Sequence, residues 1–301
     1  MIIADSSRPE LRKLLASNGL GISIGPFRCC IKTKLASVCD HLYELYPDTE
    51  IDIDSQFTDF PVEVERAPGL RRWLKPLAEF TFNGNVPFTP LALDQAPALL
   101  EWGINWCVSA HAHHLLVIHS SVVEKNGRAI IMPAPSGSGK STLCAGLVAR
   151  GWRLLSDELT LIRVSDGQIL PIPKPISLKN ESIEIISEFW PEAIVGKVCK
   201  DTLKGRVAHF RPPAESVRNA NIPAVPAFVI FPRYAPSVEC NLIPKEKGHA
   251  FMLMVENAFN YHLLGVEGFD VLKSVIDKVE VFDFEYSSLD RAIDEFEHLV
   301  K

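Results

Sequence analysis

The chain has 301 residues, longer than one ordinary domain, so one large core with a smaller module, or two unequal domains, is expected. With 47% hydrophobic and 23% charged residues it reads as a folded globular protein, and nothing in its composition points to a long disordered tail. Its formal net charge of −6 argues against broad affinity for nucleic acid or anionic membrane, which needs clustered Lys and Arg. The opening residues, MIIADSSRPE, show no basic segment followed by an apolar core, and no apolar run approaches the ~20 residues of a membrane helix. Secretion and membrane spanning are therefore disfavoured, and a cytoplasmic location is expected. From Gly21 to about Pro90 the pattern is of short strands and turns: GISIGPFRCCIKTK, then FPVEVERAP, then FTFNGNVPF, interrupted by a helical SVCDHLYELY. Cys29 and Cys30 are adjacent and the seven cysteines lack CxxC spacing, so they do not read as a disulfide framework. Residues 94–113, DQAPALLEWGINWCVSAHAH, predict a helix apolar on nearly every side, hence a buried one, and a domain junction is placed near its end.

In LLVIHSSVVEKNGRAIIMP, Asn126-Gly127 between two β-rich runs predicts a two-residue hairpin of type I′, pairing the second run antiparallel with the first. The second run leads into APSGSGKST, residues 134–142, which fits GxxxxGK[ST] with Ala134 in place of the first glycine, flanked by Pro133 and Pro135. In this pattern Pro135, Ser136, Gly137, Ser138, Gly139, Lys140, Ser141 and Thr142 bind nucleotide. The glycines let backbone N–H groups turn inward, Lys140 supplies charge to the terminal phosphates and Ser141 holds Mg2+. After the loop, STLCAGLVAR predicts a helix stopped by Gly151, and WRLLSDELTLIRV predicts strand, which would return beside the loop strand and put Asp157 at its end facing the γ-phosphate. A carboxylate there can take a hydroxyl proton or bind Mg2+. His119, at the end of LLVI, comes back through the hairpin to the same end, where it can orient the acid or contact a phosphate. Asp166-Gly167 is a second tight turn, before QILPIP. AFMLMVENAFNYHLL, GFDVLKSVIDKV and SSLDRAIDEFEHLV predict helices, the last capped by Ser287 or Ser288 with Leu289, Ile293, Phe296 and Val300 on one face.

On His119, the hairpin, PSGSGKS and RGWRLLSDEL, in that order, the chain resembles the HPr kinase/phosphorylase family. Over nearly its whole length it is similar to the HPr-kinase-related kinase A group of that superfamily, through GPFRCC, RRWLKP, LEWGINWC, RGWRLLSDELTLI, SLKNESI, DTLKGRVAHFRPP, FPRY and NAFNY. The resemblance implies a mixed α/β fold with a P-loop kinase core of the kind shared with phosphoenolpyruvate carboxykinase, its loop strand in a mixed sheet, at 111–301; the strand-and-helix pattern before it is expected to form a smaller N-terminal α/β module at 1–110, with substrate recognition as its expected role. It implies Asp157 as the acid that activates a seryl hydroxyl, His119 as the active-site histidine, Lys140 and Ser141 as phosphate and Mg2+ ligands, and Glu158 as a metal ligand where the family has a second aspartate. Nothing in the chain is like the glycine-rich loop of reverse phosphorolysis or the HPr kinase sensor domain. Related enzymes include kinases of ribosomally made peptides such as lasso peptides, so a serine of a peptide or small protein is the expected acceptor, with ATP and Mg2+ as cofactors.

Two basic clusters, in KPISLKNES and DTLKGRVAHFRPP, hold Lys174, Lys179, Asn180 and Glu181, and Lys204, Arg206, His209 and Arg211. Lys179, Lys204 and Arg206 are the expected phosphate or acceptor contacts. Cys107, His111 and His114 share one predicted helix face, a spacing that admits zinc but in apolar surroundings favours core packing. A small-metabolite kinase and a nucleotide-dependent switch without transfer stay open beside the peptide kinase. So do a homo-oligomeric state and the choice between ATP and GTP.

Overall fold

The computed structural model describes residues 1–53, 57–69 and 75–301; Arg71 to Leu74, the start of the RRWLKP stretch, lie outside the described residues. Helix α1 (Arg8–Ala16) is opened by a capping box in which Ser7 and Glu10 satisfy each other's N–H groups. Strands β1 (Leu20–Ile24) and β2 (Phe27–Lys32) form a hairpin, and α2 (Ala36–Leu45) follows. Strands β3 (Ile51–Asp52), β4 (Phe60–Arg66), β5 (Leu77–Phe82) and β6 (Leu91–Ala92) complete a six-stranded sheet in the order β3-β1-β2-β4-β5-β6. Among its described residues only β2 and β4 run parallel, and α2 lies in the crossover that parallel pairing requires. Helix α3 (Ala96–His111) packs across this sheet. As its composition demands, it is buried along most of its length.

The second sheet begins with β7 (Leu115–Lys125) and β8 (Arg128–Pro133), joined by Asn126 and Gly127 at φ +54° and +76°. Helix α4 (Lys140–Ala149) then ends in a Schellman arrangement: Gly151 N–H bonds Val148 O, and Trp152 N–H bonds Leu147 O. Next come β9 (Arg153–Ser156), β10 (Leu159–Arg163) and β11 (Ile169–Leu170). A three-stranded sheet of β12 (Ile176–Lys179), β13 (Cys199–Thr202) and β14 (Gly205–Phe210) encloses α5 (Glu181–Phe189) in sequence, and α6 (Ala214–Arg218) leads on. Strands β15 (Pro226–Tyr234) and β16 (Asn241–Pro244), helices α7 (Lys247–Glu256), α8 (Tyr261–Leu264) and α9 (Val266–Lys278), strand β17 (Glu280–Tyr286) and helix α10 (Leu289–Leu299) complete the chain. The large sheet runs β11-β10-β7-β8-β15-β17-β16, with β9 also on β7. The loop strand β8 thus has an antiparallel neighbour in β7 and a parallel one in β15, which is the mixed sheet the hairpin implied.

Side chains alternate across that sheet as the pleat dictates. Ile130 and Met132 of β8 face α4, α5 and α10, while Ala129 and Ile131 face α7 and α9. In β7 the outcome changes along the strand. Leu115 and Val117 join the core of the N-terminal sheet and α3, whereas Val123 joins the core under α4. Helices α3 and α4 therefore cover successive halves of one strand.

Three expectations change. Strand β9 pairs with β7, so it returns one strand further out than the loop strand. The helix predicted from Ala250 to Leu264 is two, because residues 257–260 leave it to pair with β7. His119 N–H bonds Asn257 O and Phe259 N–H bonds Val117 O, while the buried Asn260 accepts from Val117 N–H and donates to Leu115 O. The first half of β7 has no β8 residues beside it, and this segment supplies its missing partners. Finally, α10 starts after Ser288 without a side-chain cap, and the Ser287 hydroxyl donates to Val238 O instead. Its buried face does hold Ile293, Phe296 and Val300.

Candidate nucleotide site

Strand β8 ends at Pro133 and α4 begins at Lys140, and the geometry of the link decides what the helix N-terminus can meet. Ala134 is buried and not among the residues with positive φ, so its side chain is tolerated there. Gly137 and Gly139 sit at φ +89° and +87°, where any other L-residue is strained by ~1–2 kcal/mol. The first helical bond is Leu143 N–H to Gly139 O, which leaves the N–H groups of Lys140, Ser141 and Thr142 without helical acceptors at the positive end of the dipole. The loop is pinned from β15 and β17: Tyr234 N–H donates to Ser138 O at 2.8 Å and the Tyr286 hydroxyl to Gly139 O at 2.9 Å. All eight residues from Pro135 to Thr142 line one cleft of about 860 Å³, together with His119, Glu158, Lys179 and Lys204.

Register puts His119 at this loop. Ser120 faces Pro133 in the hairpin, so His119 lies one step beyond, level with Ala134. Its Nε2 is 3.2 Å from Lys140 Nζ. Burial, seconded by Lys140, lowers the imidazole pKa to about 4 against the pull of Glu158. The ring is then neutral near pH 7 and accepts from the ammonium. Lys140 is only 7% exposed, and burial pulls its pKa down while Asp157 and Glu158 pull it up.

The two acids part company. Strand β7 pairs with β10 up to His119 and with β9 from Val122, so Asp157 and Glu158 occupy a notch in the sheet edge opposite Ser120 and Ser121. The Ser121 hydroxyl donates to Asp157 Oδ1 at 2.9 Å and Ser177 N–H donates to its Oδ2 at 3.1 Å. Asp157 is 4% exposed, and burial raises its pKa despite Lys140 nearby. It lines a small cavity of about 10 Å³ behind the cleft, with Glu101, Asn105, Lys174 and His209. Glu158 lines both this cavity and the phosphate cleft, whereas Asp157, expected from sequence to face the γ-phosphate, lines only the cavity, close enough to act on Lys140. Burial pushes the Glu158 pKa up, but Lys174, Lys179, Lys140 and Lys204 together hold it below the usual range. The Ser141 hydroxyl and Glu158 carboxylate, hard oxygen donors on one cleft, fit Mg2+.

The basic clusters divide similarly. Lys179, at the end of β12, and Lys204, at the β13–β14 turn, reach the cleft, with Asn180 and Glu181 beside them. Arg206, on β14, does not; its guanidinium lies outside the cleft in a bidentate pair with Glu184 of α5. Lys174 is buried on Glu101 and Asn105, His209 is buried against His41, and Arg211 donates to Glu44 O. Cys107, His111 and His114 do not converge on a metal. Cys107 is in the core, His111 stacks on Phe82 at 4.7 Å, and His114 meets the edge of Phe27. Among the described residues no group of three or more His, Cys, Asp and Glu is arranged to hold one, and no helix is long and apolar enough to cross a membrane.

Sequence reasoning missed Tyr234 and Tyr286 under the loop, Ser121 and Ser177 on Asp157, and Asn105 on Glu158. All but Tyr286 lay in segments already noted, Tyr234 in FPRY, Ser121 in LLVIHSSVVEK, Ser177 in SLKNESI and Asn105 in LEWGINWC, but their contacts depend on pairing distant in the chain.

Residues 102–178 match the protein family described as SynChlorMet cassette protein ScmC. A solved structure described as the Hpr(Ser) kinase/phosphatase from Coxiella burnetii is similar over 61% of this chain and 96% of that one, at 11% sequence identity and a TM-score of 0.25. At that score the likeness assigns nothing, and the fold rests on its own sheets. No curated protein matches the chain in sequence.

Proposed function

We propose that the chain is a kinase that binds ATP with Mg2+ in the cleft and transfers the γ-phosphoryl group to a serine hydroxyl of a peptide or small protein, releasing ADP, with the hydroxyl proton passing to the carboxylate that faces the cleft, Glu158. One observation carries this reading: the free N–H groups at the start of α4, the buried Lys140 and the carboxylate of Glu158 line a single cleft. A triphosphate seated there meets the dipole and the cations of Lys140, Lys179 and Lys204, which offset its charge. Ser141 and Glu158 would hold Mg2+, which neutralises charge on the phosphate oxygens. His119 holds the Lys140 ammonium at the cradle through its neutral Nε2, and Asp157, fixed behind Lys140, keeps that lysine charged. Phosphoryl transfer asks mainly for positioning and electrostatic stabilisation, and these groups supply both.

The test is incubation with labelled ATP, Mg2+ and peptides encoded beside the gene, the modified residue being mapped by mass spectrometry. Lys140→Met should abolish ATP binding measured by calorimetry. Glu158→Gln should lower transfer by on the order of 100-fold or more while leaving ATP bound, as expected for a carboxylate that acts through the metal and the acceptor hydroxyl rather than through the phosphates. Transfer that survives Glu158→Gln but not Asp157→Asn would return the leading role to Asp157. Wild type that binds ATP without transfer to any peptide would favour a switch.

A further inference from the structure

Because α3 and α4 cover successive halves of β7, their seam lies over the notch that carries Asp157 and Glu158. Into it α3 sends two polar side chains one turn apart, Glu101 and Asn105. Glu101 is 3% exposed and holds three partners: the Tyr46 hydroxyl at 2.6 Å, His41 Nε2 at 2.8 Å and Lys174 Nζ at 3.1 Å. Lys174 Nζ also donates to Asn105 Oδ1 at 2.7 Å, and Asn105 Nδ2 donates to Glu158 Oε2. The chemistry leaves the amide one orientation. A lysine only donates and a carboxylate only accepts, so Oδ1 must face Lys174 and Nδ2 must face Glu158. Asn105 does not line the cleft, whereas Glu158 does.

We propose that Asn105 is a positioning residue: the chain of contacts from Glu101 through Lys174 and Asn105 holds Glu158 by one oxygen from behind, so that its carboxylate stays aimed at the metal and phosphates in the cleft. The N-terminal part of the protein thereby sets the geometry of the cleft acid. This rests on the reading of the cleft as a site for ATP with Mg2+. Removing a partner that orients a metal-binding carboxylate costs on the order of 10- to 100-fold in metal affinity, and the same range is expected here.

Calorimetry of ATP binding, once with Mg2+ and once with a chelator, separates the parts in wild type, Asn105→Ala, Asn105→Asp, Glu158→Ala and the Asn105→Ala/Glu158→Ala double variant. Asn105→Ala should leave metal-free ATP affinity within about two-fold and reduce the gain from Mg2+ by about 10-fold or more. Asn105→Asp keeps the shape and the Lys174 contact but turns the donor facing Glu158 into a second acceptor, so it should lose the gain as well while metal-free ATP affinity holds. In the double variant the loss should equal that of Glu158→Ala alone, since Asn105 acts through Glu158. Losses that add, or Asn105→Asp that behaves as wild type, overturn the proposal while leaving the ATP site standing. Wild type that binds no ATP overturns both.

Discussion

Gly139 meets three constraints at one backbone position. Its φ is +87°, its carbonyl takes both the first helical bond and the Tyr286 hydroxyl, and a Cβ there would lie 2.4 Å from that hydroxyl oxygen and 2.9 Å from Tyr234 Cβ. Gly137 has nearly the same φ, but a Cβ there would have no atom within 4 Å. The two therefore separate strain from collision. Gly137→Ala should cost only the ~1–2 kcal/mol of a left-handed residue. Gly139→Ala should add displacement of Tyr286 and weaken ATP binding by a further factor of about ten, about 1.4 kcal/mol, measurable by calorimetry. Equal losses at the two glycines would refute the idea that the tyrosine pins the loop. This part of the site was legible in the sequence because the motif is local: each glycine, Lys140 and Ser141 takes its task from neighbours within one turn. Arg206 was not legible as a surface residue, because the choice between the cleft and Glu184 depends on where α5 packs.

Elements show the same division. The β7–β8 hairpin was legible because Asn126-Gly127 alone fixes turn type and register, and with it the arrival of His119 at the loop. The notch holding Asp157 and Glu158 was not, since nothing in RLLSDELTL says that both its halves pair with β7. Nor was the break at 257–260, which serves an unpaired stretch of β7 rather than any local preference. The β13–β14 turn is set in this non-local way too. Asn180, at φ +52° and ψ −123°, accepts Arg206 N–H at 3.1 Å and donates to Lys204 O at 3.3 Å, tying the turn that carries Lys204 to the end of the strand that carries Lys179. Asn180→Gly should relieve backbone strain yet lose both bonds; Asn180→Ala should lose the bonds and keep the strain, a difference of ~1–2 kcal/mol in stability. Both should speed hydrogen exchange at residues 202–206 and weaken ATP binding severalfold, whereas unchanged exchange in both variants would show that the turn holds without Asn180.

At the scale of the whole molecule, the buried polar groups between the N-terminal sheet and the large sheet should make stability sensitive to acid. His209 is 2% exposed, with His41, Glu101, Glu158 and Lys174 as its charged or titratable neighbours, and burial lowers its pKa from 6.5 to about 4 despite the pull of Glu101. Folded, the ring stays neutral at pH values where the unfolded chain already binds a proton. Stability is thus fully present above about pH 6.5 and falls as pH drops toward about 4, where the folded ring itself begins to charge. The span is worth on the order of 3 kcal/mol for His209. His119 works in the same direction over the same window. Glu101, held low by Lys174 and His41 against its burial, adds a further loss below its ordinary value of 4.5. Denaturant unfolding between pH 7.5 and pH 4.5 should therefore show a steady decline, and His209→Leu should flatten it while leaving the Glu101 contacts to Lys174 and Tyr46 in place. A variant whose decline is as steep as that of wild type would mean that the ring is reached by water or already protonated in the native protein, and that the seam between the two sheets is wetter than its geometry implies.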